Sequence, residues 1–283
     1  MARFDWEQRK VNWEDAVQQL INDKSKAEIV EANYFDQPLL GAAHRFSEGI
    51  EWKAVRDLIG KANGIAVDIG AGNGIVSYAL AKDGWKTIAI EPDPSPLVGA
   101  DAIRNLAMQA GIEIEVHQAM GENLKLGSNT ASIVIARQVL HHANNLNEFA
   151  KEIARILKPG GIMVSLRDHV ISGPHQLNSF LERHPLHRYY GGENAFEISV
   201  YRHAFISAGL TIVKELKSFD SVVNYAPKNQ NDMRREIAGR LGPIGFLADH
   251  ALKPTMIMTA ALKLLTLLDR RPGRLVSFVC QKQ

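Results

Sequence analysis

The sequence predicts an α/β fold, a parallel sheet covered on both faces by helices, and three observations carry that prediction. Short apolar runs alternate with segments of helical periodicity from residue 65 to residue 167. The first run breaks abruptly into alternate glycines, Gly70, Gly72 and Gly74, the form of a tight strand-to-helix turn. Gly84, Gly111 and Lys158-Pro159-Gly160-Gly161 then stop the successive helices. Right-handed crossovers put every strand-to-helix turn on one edge of such a sheet, so a ligand is expected at that edge.

Taken in order, residues 1–62 read as a helical cap. Trp13, Ala16, Val17 and Leu20 share one helical face, and a second apolar pattern covers 27–35 until Gln37-Pro38 interrupts it. A third helix runs over 47–61 and ends at Asn63-Gly64. The cap gathers Tyr34, Phe35, Arg45, Phe46 and Trp52, either as packing or as a flap that brings Tyr34 or Arg45 to a ligand. Strands are expected at 65–69, 86–91, 112–117, 132–137 and 161–167, with helices at 75–83, 96–110 and 145–157. Residues 184–196 read as one loop rich in polar and aromatic side chains, among them His187, Arg188, Tyr189 and Glu193. A helix over 195–208 leads to a strand at 210–217, and the last strand is 275–281.

A helical insertion, 222–274, separates those two strands. It holds a basic amphipathic helix at 232–241 and a markedly apolar one at 254–268. The apolar helix is shorter than the ~20 residues that span a bilayer. Arg234, Arg235, Arg240, Lys253, Arg270, Arg271 and Arg274 flank it. A helix packed on the fold, a homodimer contact and a membrane-surface element all fit that pattern.

Composition excludes several classes. With 46% hydrophobic and 23% charged residues among 283, the chain can bury a sizeable core. A formal net charge of +2 gives no reason to expect nucleic acid as partner. The single cysteine, Cys280, allows no internal disulfide and fits a cytoplasmic setting, membrane-peripheral if the insertion binds lipid. Residues 1–11 are polar and show no secretory signal.

The chemistry-bearing residues fall at the predicted ligand edge. Asp68 ends the first strand, and the glycine turn lets backbone lie against a ligand while the next helix offers free N–H groups. Glu91 ends the second strand, where a carboxylate can take a bidentate bond from two ribose hydroxyls. Met120-Gly121-Glu122, Arg137 to His142, and Arg167-Asp168-His169 follow the third, fourth and fifth strands. The glycine pattern is G-x-G-x-G, with Ile75 where a dinucleotide fingerprint needs glycine, which argues against a nicotinamide enzyme.

The ordered set Asp68-Ile-Gly-Ala-Gly-Asn-Gly74, Glu91, Glu122-Asn123-Leu124, Leu140-His141-His142 and Leu157-Lys-Pro-Gly-Gly161 resembles the class I S-adenosylmethionine-dependent methyltransferases. It is most similar to the ubiquinone and menaquinone methyltransferase subgroup, and residues beyond 170 resemble, more weakly, methyltransferases of bacterial glycan assembly. The resemblance implies a Rossmann-like, seven-stranded, mostly parallel sheet with an antiparallel last strand. Residues 63–221 and 275–283 would form the cofactor-binding domain. It implies S-adenosylmethionine as cofactor, held by Asp68, Gly70, Ala71, Gly72, Asn73, Gly74, Glu91, Pro92, Met120, Gly121, Glu122, Arg137 and His141. Met120 departs from the family, which usually carries there an aspartate that accepts from the adenine amino group; a thioether packs on a ring but accepts poorly.

In-line methyl transfer to a hydroxyl needs alignment and a base, and no metal is expected. His169 and His142 are the candidate bases. Tyr34, Arg45, Arg167, His187, Arg188, Tyr189 and Glu193 are the candidate substrate contacts. The expected acceptor is a hydroxyl of a glycan, a lipid-linked glycan or a similar polar metabolite. C- or O-methylation of a small aromatic or isoprenoid compound is the alternative, and a non-catalytic cofactor-binding partner is another.

Overall fold

A computed structural model describes residues 12–283. Residues 1–11, and the signal-peptide expectation that rests on them, lie outside the described residues. The chain opens with helices α1 (Trp13–Asn22), α2 (Ala27–Ala32), α3 (Leu39–Glu48) and α4 (Ile50–Ile59). The alternating part follows: β1 (Ile65–Ile69), α5 (Ile75–Lys82), β2 (Lys86–Ile90), α6 (Ala100–Ala110), β3 (Ile114–His117), β4 (Ala131–Arg137), α7 (Leu146–Ile156) and β5 (Leu157–Ile171). Next come α8 (Leu177–Arg183), α9 (Pro185–Tyr190), β6 (Phe196–Glu197), α10 (Ile198–Ser207) and β7 (Leu210–Leu216). The helices α11 (Val222–Tyr225), α12 (Gln230–Arg240), α13 (Gly245–Ala251) and α14 (Thr255–Leu268) precede β8 (Arg274–Lys282).

The sheet runs β3-β2-β1-β4-β5-β8-β7, with the two-residue β6 beside the end of β5, so it has eight strands where seven were expected. Pairs from β3 to β5 are parallel, and β8 runs antiparallel to both β5 and β7. Strand side chains alternate between two cores, as the pleat requires. Val67, Ile69, Val134 and Ala136 meet Phe149 and Ile153 of α7 and Tyr201 and Phe205 of α10. Ala66, Ile133 and Ile135 meet Phe46, Trp52, Val55 and Leu80 on α3, α4 and α5. The cap is fastened to α5 by polar contacts: Trp52 Nε1 donates to Asp83 at 2.8 Å, and Arg56 pairs with the same carboxylate at 2.6 Å.

Four local expectations differ from the structure. The α3 helix was not expected, because Gln37-Pro38 reads as a break yet serves as its entry. The helix expected from residue 96 begins at Ala100, because Asp93 and Ser95 side chains accept from Ser95 N, Leu97 N and Val98 N and hold the preceding backbone in turns. Residues 185–190 of the expected loop are helical, with Pro185 at the first position. The fifth strand runs to Ile171 through an irregularity at Arg167 (φ 60°), because β8 continues to pair with Asp168, His169 and Val170. Arg167, Asp168 and His169 therefore lie inside a strand. Among the described residues no helix is long and apolar enough to cross a membrane.

Candidate active site

The glycine turn is pinned to the sheet by its own backbone. Gly70 N and Ala71 N both donate to Ile90 O, at 2.8 and 3.1 Å, so the turn lies against the end of β2. Gly70 has φ 65°, and a Cβ there would come within 2.2 Å of Val139. Gly72 has φ 56°, but a Cβ there would meet only open space. One glycine is required by packing, and the other leaves a bare backbone facing a cavity.

Two buried carboxyls flank the turn. Asp68 Oδ2 accepts from Ser77 Oγ at 2.6 Å, and burial pushes its pKa up to about 6. Glu91 Oε2 accepts from Gly72 N at 2.7 Å and Oε1 from Asp93 N at 3.0 Å; burial pushes it up to about 7. Both line a cavity of about 1160 Å³ together with Gly70, Ala71, Gly72, Asn73, Pro92, Asp93 and Met120. This exceeds the roughly 300–1,000 Å³ of a pocket for one drug-sized ligand, so it has room for a donor and an acceptor side by side.

The opposite wall is polar. Arg137 donates to both oxygens of Glu51, at 2.7 and 3.1 Å, and Arg167 approaches the same carboxylate at 3.6 Å. Burial would raise Glu51, but the two guanidiniums hold it below the usual carboxylate range. Arg167 also donates to Val223 O and Ala226 O, yet its buried Nε has no partner.

Beside them stands a cluster of histidines. His141 Nδ1 bonds to Asp168 Oδ1 at 2.9 Å, and its Nε2 lies 3.4 Å from Glu193 Oε2. Burial opposes charge on His141, but Asp168 and Glu193 outweigh it and hold its pKa at about 9. His142 Nδ1 meets Gly192 O and His169 Nδ1 meets Gly273 O, both at 2.9 Å. A carbonyl only accepts, so each Nδ1 carries the hydrogen and each neutral Nε2 keeps its lone pair. Burial, then the charge on His141, lower His142 to about 4 and His169 to about 3. His141, His142, His169, His184 and Glu193 all line the cavity, so Asp168 orients His141 and leaves its chain neighbour His169 to a backbone carbonyl.

The cap closes the mouth. Trp13 lies 5.8 Å from the Phe35 ring and 4.7 Å from that of Tyr190 on α9, and Ile29, Ala32 and Leu186 complete an apolar rim. Several expected contacts lie off the cavity wall. Tyr34 turns edge-on to Phe46 at 5.2 Å, and its carbonyl accepts from Asn73 Nδ2. Arg45 pairs with Asp36 at 2.6 Å, and Arg188 donates to Glu182 O. Glu122 accepts from Asn144 N and Asn145 N, and Gly121 lies under the Phe149 ring. Gly74 caps α5, while His187 and Tyr189 are off the wall. Glu51, His184, Tyr190 and Trp13 were missed. Their signal was weak, since Glu51 lies on a helix far in sequence from the arginines it joins.

Residues 67–165 match the family described as "Methyltransferase domain". They form a class I methyltransferase domain, and its cofactor is S-adenosylmethionine. A ubiquinone biosynthesis O-methyltransferase of Azorhizobium caulinodans is 29% identical over 98 residues, 35% of this chain and 38% of that protein. A dimethylglycine N-methyltransferase of Parasynechococcus marenigrum is 34% identical over 103 residues, 36% of each chain. The matches thus span under two fifths of these curated relatives. The solved geranyl diphosphate C-methyltransferase of Streptomyces coelicolor superposes over 100% of both chains with TM-score 0.60 at 12% identity, a likeness of fold. The methyltransferase domain fits its cofactor: the bare backbone at Gly72 leaves room beside it, Asp68 suits an ammonium, and Glu91 suits paired hydroxyls.

Proposed function

We propose that this protein is an O-methyltransferase that uses S-adenosylmethionine to methylate a hydroxyl of a polar acceptor, a glycan unit or a comparable hydroxylated metabolite. The observation that supports this reading is the cavity wall beyond the glycine turn, where the largely buried Arg137 and Arg167, the buried Glu193 and the imidazoles of His142 and His169 face an open volume. Hydroxyl-rich ligands suit such walls, because each buried donor and acceptor needs a partner.

When bound, the cofactor supplies a methyl on sulfonium, which the acceptor oxygen displaces in line while the carbon–sulfur electron pair stays on sulfur. Asp68 would hold its ammonium, Glu91 its ribose hydroxyls, and Gly70 to Asn73 would lie along its methionine part. The chain's remaining residues prepare the acceptor. Arg137 and Arg167, fixed by Glu51, would orient acceptor oxygens, and the Nε2 of His142 or His169 would take the hydroxyl proton. Both imidazoles are held neutral, so each is free to accept. The cap, with Trp13 packed against both Phe35 and Tyr190, would exclude water.

The apolar rim of Trp13, Ile29, Phe35 and Leu186 favours a second reading, C- or O-methylation of a compound with an aromatic or isoprenoid part. The relatives are named for O-, N- and C-methyl transfer, so the shared domain does not choose the acceptor atom. Incubation with methyl-labelled cofactor and fractionated cell extract separates these readings. Label in glycan or polar metabolites supports the first, and label in apolar small molecules the second. Calorimetric binding of S-adenosylhomocysteine without any labelled product would leave a non-catalytic cofactor-binding role, while no binding would exclude all three.

The insertion supplies a further proposal, attachment to a membrane surface. Phe246, Met256, Leu264, Leu267 and Leu268 are each more than half exposed on α13 and α14. Arg235, Lys253, Lys263 and Arg270 are exposed around them, which suits an anionic lipid surface.

A further inference from the structure

The polar end of the cavity holds more imidazole than one proton transfer needs. Three imidazoles have their Nδ1 tied to an oxygen: His141 to Asp168, His142 to Gly192 O and His169 to Gly273 O, each at 2.9 Å. Nδ1 anchoring leaves Nε2 as the outward atom. This is the outer-shell arrangement of metal-binding histidines, which donate their second ring N–H to a carboxylate or carbonyl. Asp168 is itself buried and held by Ser165 Oγ and by the backbone N of His141.

The inward-facing atoms converge. One ligand atom each from His141, His169 and Glu193 lie within 4.8 Å of one another, and the His141 Nε2 to Glu193 Oε2 distance is 3.4 Å. Tetrahedral ligands about 2.0–2.1 Å from an ion lie about 3.3 Å apart, so that pair already has the spacing. The widest pair needs an inward movement of about 1.5 Å, within the reach of side-chain rotation. A further donor stands by: His184 Nδ1 is buried without a hydrogen-bond partner, 3.8 Å from Glu193 Oε1. An orphaned buried imidazole nitrogen beside a carboxylate calls for an occupant.

We propose that His141, His169 and Glu193 bind a divalent first-row transition ion of the zinc type, with His184 as a fourth ligand or as neighbour to an open position on the cavity. A donor set of imidazoles with one carboxylate suits zinc, iron(II) or cobalt(II), and disfavours magnesium and calcium, which want oxygen ligands. The ion would coordinate an acceptor oxygen and lower the pKa of its proton, leaving His142 as the base. That last consequence rests on the methyl-transfer reading; the ion site itself stands on the donor geometry alone.

The test uses untagged full-length protein, freed of metal by a chelator and titrated with Co2+ alone. One equivalent with the intense visible absorption of a low-coordinate N/O site supports the proposal. That signal is expected to vanish in His169→Gln and Glu193→Gln and to persist in His203→Gln, whose histidine is exposed on α10 and does not line the cavity. Asp168→Asn is expected to weaken binding roughly 10–100-fold. Wild-type protein that binds no Co2+, or absorption that survives both ligand substitutions, would overturn the site. S-adenosylhomocysteine calorimetry on the same samples reports folding of the variants and tests the cofactor reading separately, since Asp68 and Glu91 lie outside the cluster.

Discussion

With Asp68 and Glu91 as the proposed cofactor contacts, cofactor binding is expected to depend on pH. Their folded pKa values, about 6 and about 7, lie above the ordinary 3.8 and 4.5 because burial penalises the charged form. A carboxyl raised in the folded state favours folding while it is protonated. That advantage is lost as pH rises from the unfolded range through the folded value, by on the order of 3 kcal/mol for each group. Their share of the unliganded protein's stability is therefore expected to fall between about pH 4 and 7, against the opposite slope of His142 and His169, whose lowered values favour folding as pH rises. An ammonium at Asp68 and hydroxyls at Glu91 favour the ionised forms, so cofactor affinity should rise over pH 5.5 to 8 with release of protons. Thermal midpoints across that range, with and without S-adenosylhomocysteine, check the linkage: the ligand-induced shift should grow with pH, and a flat shift would contradict the assignment. Glu51 offers a second residue-scale test. Glu51→Gln leaves Arg137 and Arg167 as buried cations without a counter-charge, with an expected loss of about 3–5 kcal/mol in denaturant unfolding.

At the scale of elements, the turn between β1 and α5 carries two glycines with different duties. Gly70→Ala drives a Cβ into Val139 at 2.2 Å, so it should lower stability. Gly72→Ala meets no protein atom; it should cost about 1–2 kcal/mol for its positive φ and weaken S-adenosylhomocysteine binding more than its fold, as calorimetry beside unfolding would show. This turn was legible in the sequence because backbone sterics demand glycine there and the flanking periodicities are local. The alternation from β1 to β5 was legible for the same reason. Other features were not. The α3 helix was hidden by the proline at its entry, and α9 by the glycines and charges around it. The convergence of His141, His169 and Glu193 depends on β5 continuing past residue 167, which β8 imposes from more than a hundred residues away. Nothing local to the sequence sets that pairing, so His169 could be read only as a residue beyond the strand.

For the whole molecule, the sheet and both cores account for the domain, while α12 to α14 pack on a small cluster of their own. Met258 and Leu262 bury one face of α14 against Met233, with Phe219 and Tyr225 beside them. The other face of α14 stays bare, with Met256 86% and Leu267 68% exposed, and Phe246 of α13 is 71% exposed. Apolar patches of this kind on a water-facing surface mark an interaction site, and the surrounding Lys253, Lys263 and Arg270 bias it towards an anionic one. Each exposed cation near such a surface contributes about 1 kcal/mol, and the apolar side chains add burial in the headgroup region. The protein is therefore expected to float with vesicles containing a third phosphatidylserine, and to float less at high salt. Met256→Glu with Leu267→Glu should abolish flotation without changing S-adenosylhomocysteine binding, because neither residue lines the cavity. If the wild-type protein stays unbound and sediments as a dimer that these substitutions split, the face belongs to a second copy of the chain and the membrane reading fails.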